Sequence, residues 1–381
     1  MRSALRDIGL DEDERRFAAE VRGFLAETAP QRDRFQIFKD RGGATAKLYR
    51  ELGERGWLGL TWPEPLGGLG RPAMYELVLW DEMAYARAAR PPVGAGMVAR
   101  SIVEWGTPEQ HDRFLPGIRS GEEAFSLGYS EPEAGSDLTS LRTRARRDGD
   151  SYVVTGEKRW TSDAHTADWL WLLCRTGTQE ERSAGLTLLV VDLASAGVTV
   201  SPIPTLDGHR LNEVRLDDVV VPAANRVGPE GGAWEMIRVA LARERHLQVM
   251  PGRLERDLES LQRLLDDLPD RGDRHREEHA GLVARALAVR AAVYRSVRAA
   301  QHEEITPAVA ARNKIVGTTL MQQIARFAAR VGGRAAVLRG EDLELLWRES
   351  IMETVAGGTT EMMLTVVARH GLRRSLQEEA Q

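Results

Sequence analysis

The sequence holds little cysteine, little lysine and no long apolar run. Cys174 is the one cysteine among 381 residues, which excludes an intrachain disulfide framework and a cysteine-based metal site. Within the apolar run 169–174 it reads as a small buried residue. Lysine occurs only at Lys39, Lys47, Lys158 and Lys314, although lysine and arginine together number 52. The arginines are scattered and form no patch. With a net charge of −5 and a pI near 6.0, this argues against a nucleic-acid or membrane-surface partner. No stretch approaches the length of apolar residues that spans a bilayer, about 18 or more. The charged N-terminus, from Arg2 to Arg16, lacks the apolar core of a signal peptide. A cytoplasmic location is the expectation. Aromatic residues make up 6% of the chain, yet nine are Trp, most of them expected in packing. The chain is 42% hydrophobic, and its length suits roughly two or three domains or layers.

Residues 11–120 read as helical. Phe17, Val21, Phe24 and Leu25 recur at helical spacing after an acidic first turn. Further helices are predicted at 44–55 and 74–89, separated by a Pro/Gly loop at 62–70. From residue 123 the pattern changes to short apolar runs bounded by Gly, Ser, Asp or Pro. Strands are predicted at 151–155, 169–174, 186–191, 198–203 and 213–222. Beyond Gly232 the helical period returns, predicting helices at 233–265, 275–301, 305–331, 341–355 and 359–375. The predicted class is therefore α+β. It has an N-terminal helical domain (1–122), a central β barrel or sandwich (123–228) and a C-terminal domain like a four-helix bundle (229–381).

Four stretches suggest chemistry. Gly56-Trp-Leu-Gly-Leu-Thr-Trp-Pro-Glu-Pro-Leu-Gly-Gly-Leu-Gly70 taken alone is a connector. Tyr129-Ser-Glu-Pro-Glu-Ala-Gly-Ser-Asp137 reads as a strand end turning through Pro132 and Gly135. Such a turn exposes backbone N–H groups and small hydroxyls, which suit a row of carbonyl and nitrogen acceptors. Lys158-Arg-Trp-Thr-Ser162 places an aromatic and a hydroxyl on one strand. Ala356-Gly-Gly-Thr-Thr-Glu361 opens a helix, with glycines that permit close backbone approach and a terminus that favours phosphate. Thr359 or Thr360 is also a natural N-cap there.

In order and spacing these stretches resemble the acyl-CoA dehydrogenase family, and the resemblance spans nearly the whole chain. It implies bound FAD. Leu127, Tyr129 and Ser130 would lie along the flavin, and Trp160 would stack on one face of the isoalloxazine. Thr161 of the same strand would also contact the flavin, and Ser162 would bond N5. Thr359 and Glu361 would meet the diphosphate region, while Ser136, Arg245 and Gly357 would face the substrate. The implied reaction is α,β-dehydrogenation of an acyl thioester, carried by coenzyme A or by a carrier protein. Hydride would pass to flavin N5.

That reaction needs a desolvated carboxylate as base. Many family members carry a Glu just before the Gly-Thr turn, where this chain has Gly357. Others carry it on the first long helix of the C-terminal bundle, in a Glu-Arg pair. Here that pair is Glu244 and Arg245, and Glu244 is the implied base. Ile237, Leu241, Glu244 and Gln248 share one largely apolar helical face. Read without the resemblance, Glu244 is one charge in a solvated run, 243–246.

The chain departs from the family at 251–259, which lacks the Arg and Phe-Gly pair that reaches FAD across a subunit boundary. Ala329 stands where a Gln precedes the later Gly-Gly. Homodimer, homotetramer and a mixed two-subunit assembly are therefore all open. The implied electron acceptor is an electron-transfer flavoprotein or its equivalent. Two other readings remain: an oxidase or monooxygenase that uses oxygen directly, and a non-catalytic partner subunit.

Overall fold

The computed structural model describes residues 6–28, 44–208, 210–247, 250–267, 273–300, 306–336, 338 and 342–378. They fall into two compact units. The first comprises the described residues of 1–30, 72–90 and 242–381, and the second those of 31–71 and 91–241. The chain passes from the second to the first within one helix, at Leu241.

The first unit is helical. It contains α1 (Glu12–Thr28) and α3 (Ala73–Tyr85) near the N-terminus. From the C-terminal part come α7 (Pro251–Asp267), α8 (Asp273–Ala299), α9 (Pro307–Gly332), α10 (Asp342–Met352) and α11 (Thr360–Glu378). The predicted helix 233–265 is in fact two. The first, α6 (Ala233–Leu247), ends before Met250, and α7 begins at Pro251. Apolar periodicity runs through the break and hides it. Proline has no N–H to donate and suits a first helical position, so a helix starts there rather than passing through.

Two buried charge clusters hold these helices. Arg290 meets Asp81 at 2.9 Å and Glu255 at 2.5 Å, joining α8 to α3 and α7. Arg253 on α7 meets Glu349 on α10 and Glu353 just beyond it, both at 2.7 Å. Arg90 meets Glu353 at 2.8 Å.

The second unit carries α2 (Ala44–Glu54), α4 (Ala99–Trp105) and α5 (Pro108–Ser120), then the strands. Helix α5 starts on a capping box, Thr107 with Gln110, with Pro108 in its first turn. Eight strands follow: β1 (Phe125–Gly128), β2 (Arg144–Asp148), β3 (Ser151–Ser162), β4 (Trp169–Arg175), β5 (Leu186–Asp192), β6 (Val198–Pro204), β7 (Arg210–Pro222) and β8 (Arg226–Val227).

They form one mixed sheet in the order β6-β7-β3-β2-β4-β5-β8, with β1 parallel to β4. The α+β class is as expected, though this sheet is more open than the barrel or sandwich predicted. Its halves meet at a single residue pair, Arg144 opposite Arg175. One core, including Tyr152, Val154, Leu170, Leu172, Leu189 and Val214, draws on both halves. Cys174 lies in that core, and burial pushes its thiol up to about 12.

Candidate functional site

The flavin-type motifs of the second unit lie together because β1 and β3 are tied at several points. Lys158 is the centre of the tie. Its side chain is 0% exposed, and its ammonium donates to Tyr129 O at 3.1 Å and to Glu131 Oε1 at 2.8 Å. Glu131 also accepts the N–H groups of Arg142 (2.6 Å) and Thr143 (2.9 Å). Burial pushes the Glu131 carboxyl up. The Lys158 ammonium and these N–H groups outweigh it and hold the carboxyl below its ordinary range. The Glu-Pro of the motif is thus a structural latch: Glu131 is buried and consumed by its partners.

The same latch sets Trp160. On β3 the register slips between Lys158 and Thr161, which face Val214 and Asn212 of β7, so β3 carries an extra residue there. The Arg159 N–H turns to Ser130 O at 2.9 Å. Trp160 takes φ +63° and turns its ring outward, leaving it 51% exposed. A left-handed backbone is costly for a bulky residue and persists where its surroundings enforce it. Two side chains fix the residues that follow. Asn212 donates to Thr161 O at 2.9 Å, and Ser126 of β1 donates to Ser162 O at 2.5 Å. With those carbonyls held, the Ser162 side chain remains exposed.

Not every expected contact residue presents its side chain. Tyr129 is buried, its hydroxyl accepting from Trp171 Nε1 at 3.1 Å and donating to Met97 Sδ at 3.5 Å. Thr161 is buried too, and its Oγ1 has no partner among the described residues. Their carbonyls are taken as well, Tyr129 O by Lys158 and Thr161 O by Asn212, so both residues back the strand ends rather than face outward. Leu127 and Ser130 are half-buried, and Ser136 is exposed. The loop after Ser136 is braced by Arg175, a buried guanidinium on β4. It donates to the carbonyls of Thr139 (2.7 Å), Leu141 (3.1 Å), Thr178 (2.8 Å) and Arg182 (2.9 Å). Sequence reasoning missed Lys158, Glu131, Ser126, Asn212 and Arg175 as supports. Most of their bonds reach main-chain or carboxylate atoms 27 to 51 residues away, and no spacing rule encodes that.

The glycine turn belongs to the first unit. Gly357 and Gly358 have φ of +63° and +99°. A Cβ on Gly358 would come within 2.7 Å of Met363 Cε. Thr359 is the cap of α11, its Oγ1 accepting from Met362 N at 3.2 Å. Thr360 N–H returns to Thr354 O at 3.0 Å, closing the turn. Glu361 is exposed in the first turn of α11, where its charge suits the helix dipole. Glu244 and Arg245 lie on α6, but their side chains fall outside the described residues.

Three family descriptions match the chain in sequence. They are the acyl-CoA dehydrogenase N-terminal domain over residues 11–122, the middle domain over 126–219 and the C-terminal domain over 231–372. The acyl-CoA dehydrogenase FadE29 of Mycobacterium tuberculosis is 33% identical across 96% of this chain and 98% of its own length. Among solved structures, the Tcur3481-Tcur3483 steroid ACAD aligns with a TM-score of 0.88. It is 32% identical and covers 95% of this chain and 97% of that one. The ChsE4-ChsE5 complex from Mycobacterium tuberculosis also gives 0.88, at 32% identity, covering 96% and 98%. No helix among the described residues is long and apolar enough to cross a membrane. The chain belongs to the acyl-CoA dehydrogenase family of oxidoreductases, whose members are flavoproteins and generally depend on FAD.

Proposed function

We propose that this chain binds FAD and dehydrogenates an acyl-CoA between its α and β carbons, with Glu244 taking the α proton. The observation that carries the reading is Trp160. A large aromatic is held outward by a bulge and a positive φ, with an exposed hydroxyl two residues on. The donor set fits an isoalloxazine: a flat apolar ring for one face, with hydroxyls of Ser130 and Ser162 for the polar edge. Bound FAD supplies an acceptor for hydride from the β carbon.

The residues of the chain supply the rest. Trp160 covers one flavin face and shields it from water. Leu127 lines its edge, backed by Tyr129 and Thr161, and Ser162 donates at N5. Ser136 meets the pantetheine arm. Gly357 carries no side chain where many relatives have their base, so proton removal falls to Glu244, with Arg245 positioning the substrate. Thr359 faces the diphosphate. Glu361 can only accept, so it suits a ribose hydroxyl better than a phosphate oxygen. In this reading the segments 1–122, 123–228 and 229–381 are the three functional parts.

Coenzyme A is preferred over a carrier protein because the relatives are named acyl-CoA dehydrogenases. One similar structure is that of a steroid ACAD, which makes a polycyclic acyl-CoA the first substrate to try. Two similar structures pair different chains, so a mixed two-subunit assembly joins homodimer and homotetramer as a candidate. An electron-transfer flavoprotein or its equivalent would accept the electrons. The test is anaerobic titration of the flavin-loaded protein with a panel of straight-chain, branched and polycyclic acyl-CoAs and acyl-carrier proteins. Bleaching by at least one acyl-CoA is expected. Bleaching only by carrier-bound substrates, or rapid reoxidation by air with peroxide formed, would overturn it in favour of a different carrier or an oxidase.

A further inference from the structure

The glycine turn is gripped from behind by a residue with no assigned role. Lys314 sits on α9 and is 2% exposed. Its ammonium donates to two main-chain carbonyls, those of Ala356 and Gly358, which flank Gly357 and Gly358 on either side. Peptide planes are rigid, and no cis bond occurs among the described residues, so each carbonyl fixes the N–H on the opposite edge of its plane. Drawing the Ala356 carbonyl toward α9 turns the Gly357 N–H away from it. Drawing in the Gly358 carbonyl does the same for the Thr359 N–H. The positive φ values of both glycines allow the two planes to be held this way.

Charge type matters as well. Of 52 basic residues only four are lysine, and among the described residues Lys314 and Lys158 are buried. Lys314 caps two main-chain carbonyls and Lys158 one carbonyl and a carboxylate, each with a compact ammonium whose donors point in several directions. A planar guanidinium is bulkier and its fork is fixed.

We infer that Lys314 is a positioning residue. It orients the Gly357 and Thr359 N–H groups, at the start of α11, toward a phosphate group of the bound dinucleotide. This rests on the proposed placement of the FAD diphosphate beside that turn. Lys314 makes no contact with the ligand; it acts through the two peptide planes.

The test compares apoproteins of the wild type, Lys314→Met and Lys314→Arg. Affinities for FAD, ADP and riboflavin are measured by fluorescence or calorimetry, with thermal melting of each apoprotein alongside. Lys314→Met is expected to bind FAD and ADP at least tenfold more weakly while riboflavin affinity stays within twofold. Lys314→Arg is expected not to restore the loss. Equal weakening for all three ligands would mean a general structural role and would overturn the inference, as would an unchanged FAD affinity. Should Lys314→Met fail to fold, Lys314→Gln carries the same comparison with a polar group in the slot. The underlying placement fails separately. If the wild type gains nothing from the diphosphate, binding riboflavin as tightly as FAD and no ADP, the turn is not at the diphosphate.

Discussion

Lysine is scarce in this chain, and its placement is informative at the scale of single residues. Lys158 joins Glu131 and Tyr129 O, and through them sets the strand end that faces the proposed flavin. Removing one partner of a buried pair strands the other charge. Lys158→Met is therefore expected to cost about 3–5 kcal/mol in urea unfolding. Lys158→Met with Glu131→Gln should recover part of that loss, because the stranded charge is gone. Trp160 behaves in the opposite way. Its ring is half exposed and its backbone is left-handed, so Trp160→Gly relieves strain while adding unfolded-state freedom. Apoprotein stability is expected to change by no more than about 1 kcal/mol, while FAD affinity falls sharply. Melting of the apoprotein and flavin fluorescence titration read the two effects apart. Trp160 and Ser162 were legible in the sequence through their motif. The inward turn of Thr161 was not, because strand alternation fails at a bulge whose existence depends on β7, and that of Tyr129 depends on Trp171 and Met97, far off in sequence.

At the scale of elements, helix positions were legible over most of the chain, although α4 and α5 were read only within the helical stretch 11–120. They were not legible where Pro251 restarts a helix within a continuing period. Strand β2 escaped notice because its sequence, Arg-Ala-Arg-Arg-Asp, buries only Ala145. The ion cluster between α7 and α10 makes a pH prediction. Burial pushes the Glu349 carboxyl up, but Arg253, Arg87, Arg256 and Arg90 outweigh it and draw it down to about 2, from an ordinary 4.5. Because the folded value lies below the unfolded one, Glu349 stabilises the fold above pH 4.5, and that stabilisation is lost as pH falls toward 2. The amount at stake is on the order of 3 kcal/mol. Urea unfolding at neutral pH and at acid pH should show Glu349→Gln less stable than wild type at neutral pH. The gap should close as the pH drops. A gap that widened in acid would contradict the sign.

At the scale of the whole molecule, the family and the α+β class were legible because motif order survives where single motifs are ambiguous. Assembly was not, since it depends on surfaces. On α10, Trp347 and Ile351 are exposed one helical turn apart, followed by Val355. Exposed apolar residues in a row favour a covering partner. Light scattering is expected to give a mass above the 42.3 kDa of one chain, alone or with a second, related chain. The central claim is that Glu244 removes the α proton while FAD is held by the other residues. The most direct measurement is stopped-flow absorbance of the flavin under anaerobic conditions, with an acyl-CoA that bleaches the wild type. Glu244→Gln is predicted to retain the yellow flavin and show no bleaching on that timescale. A variant that bleaches at a near-normal rate would contradict the account and place the base elsewhere.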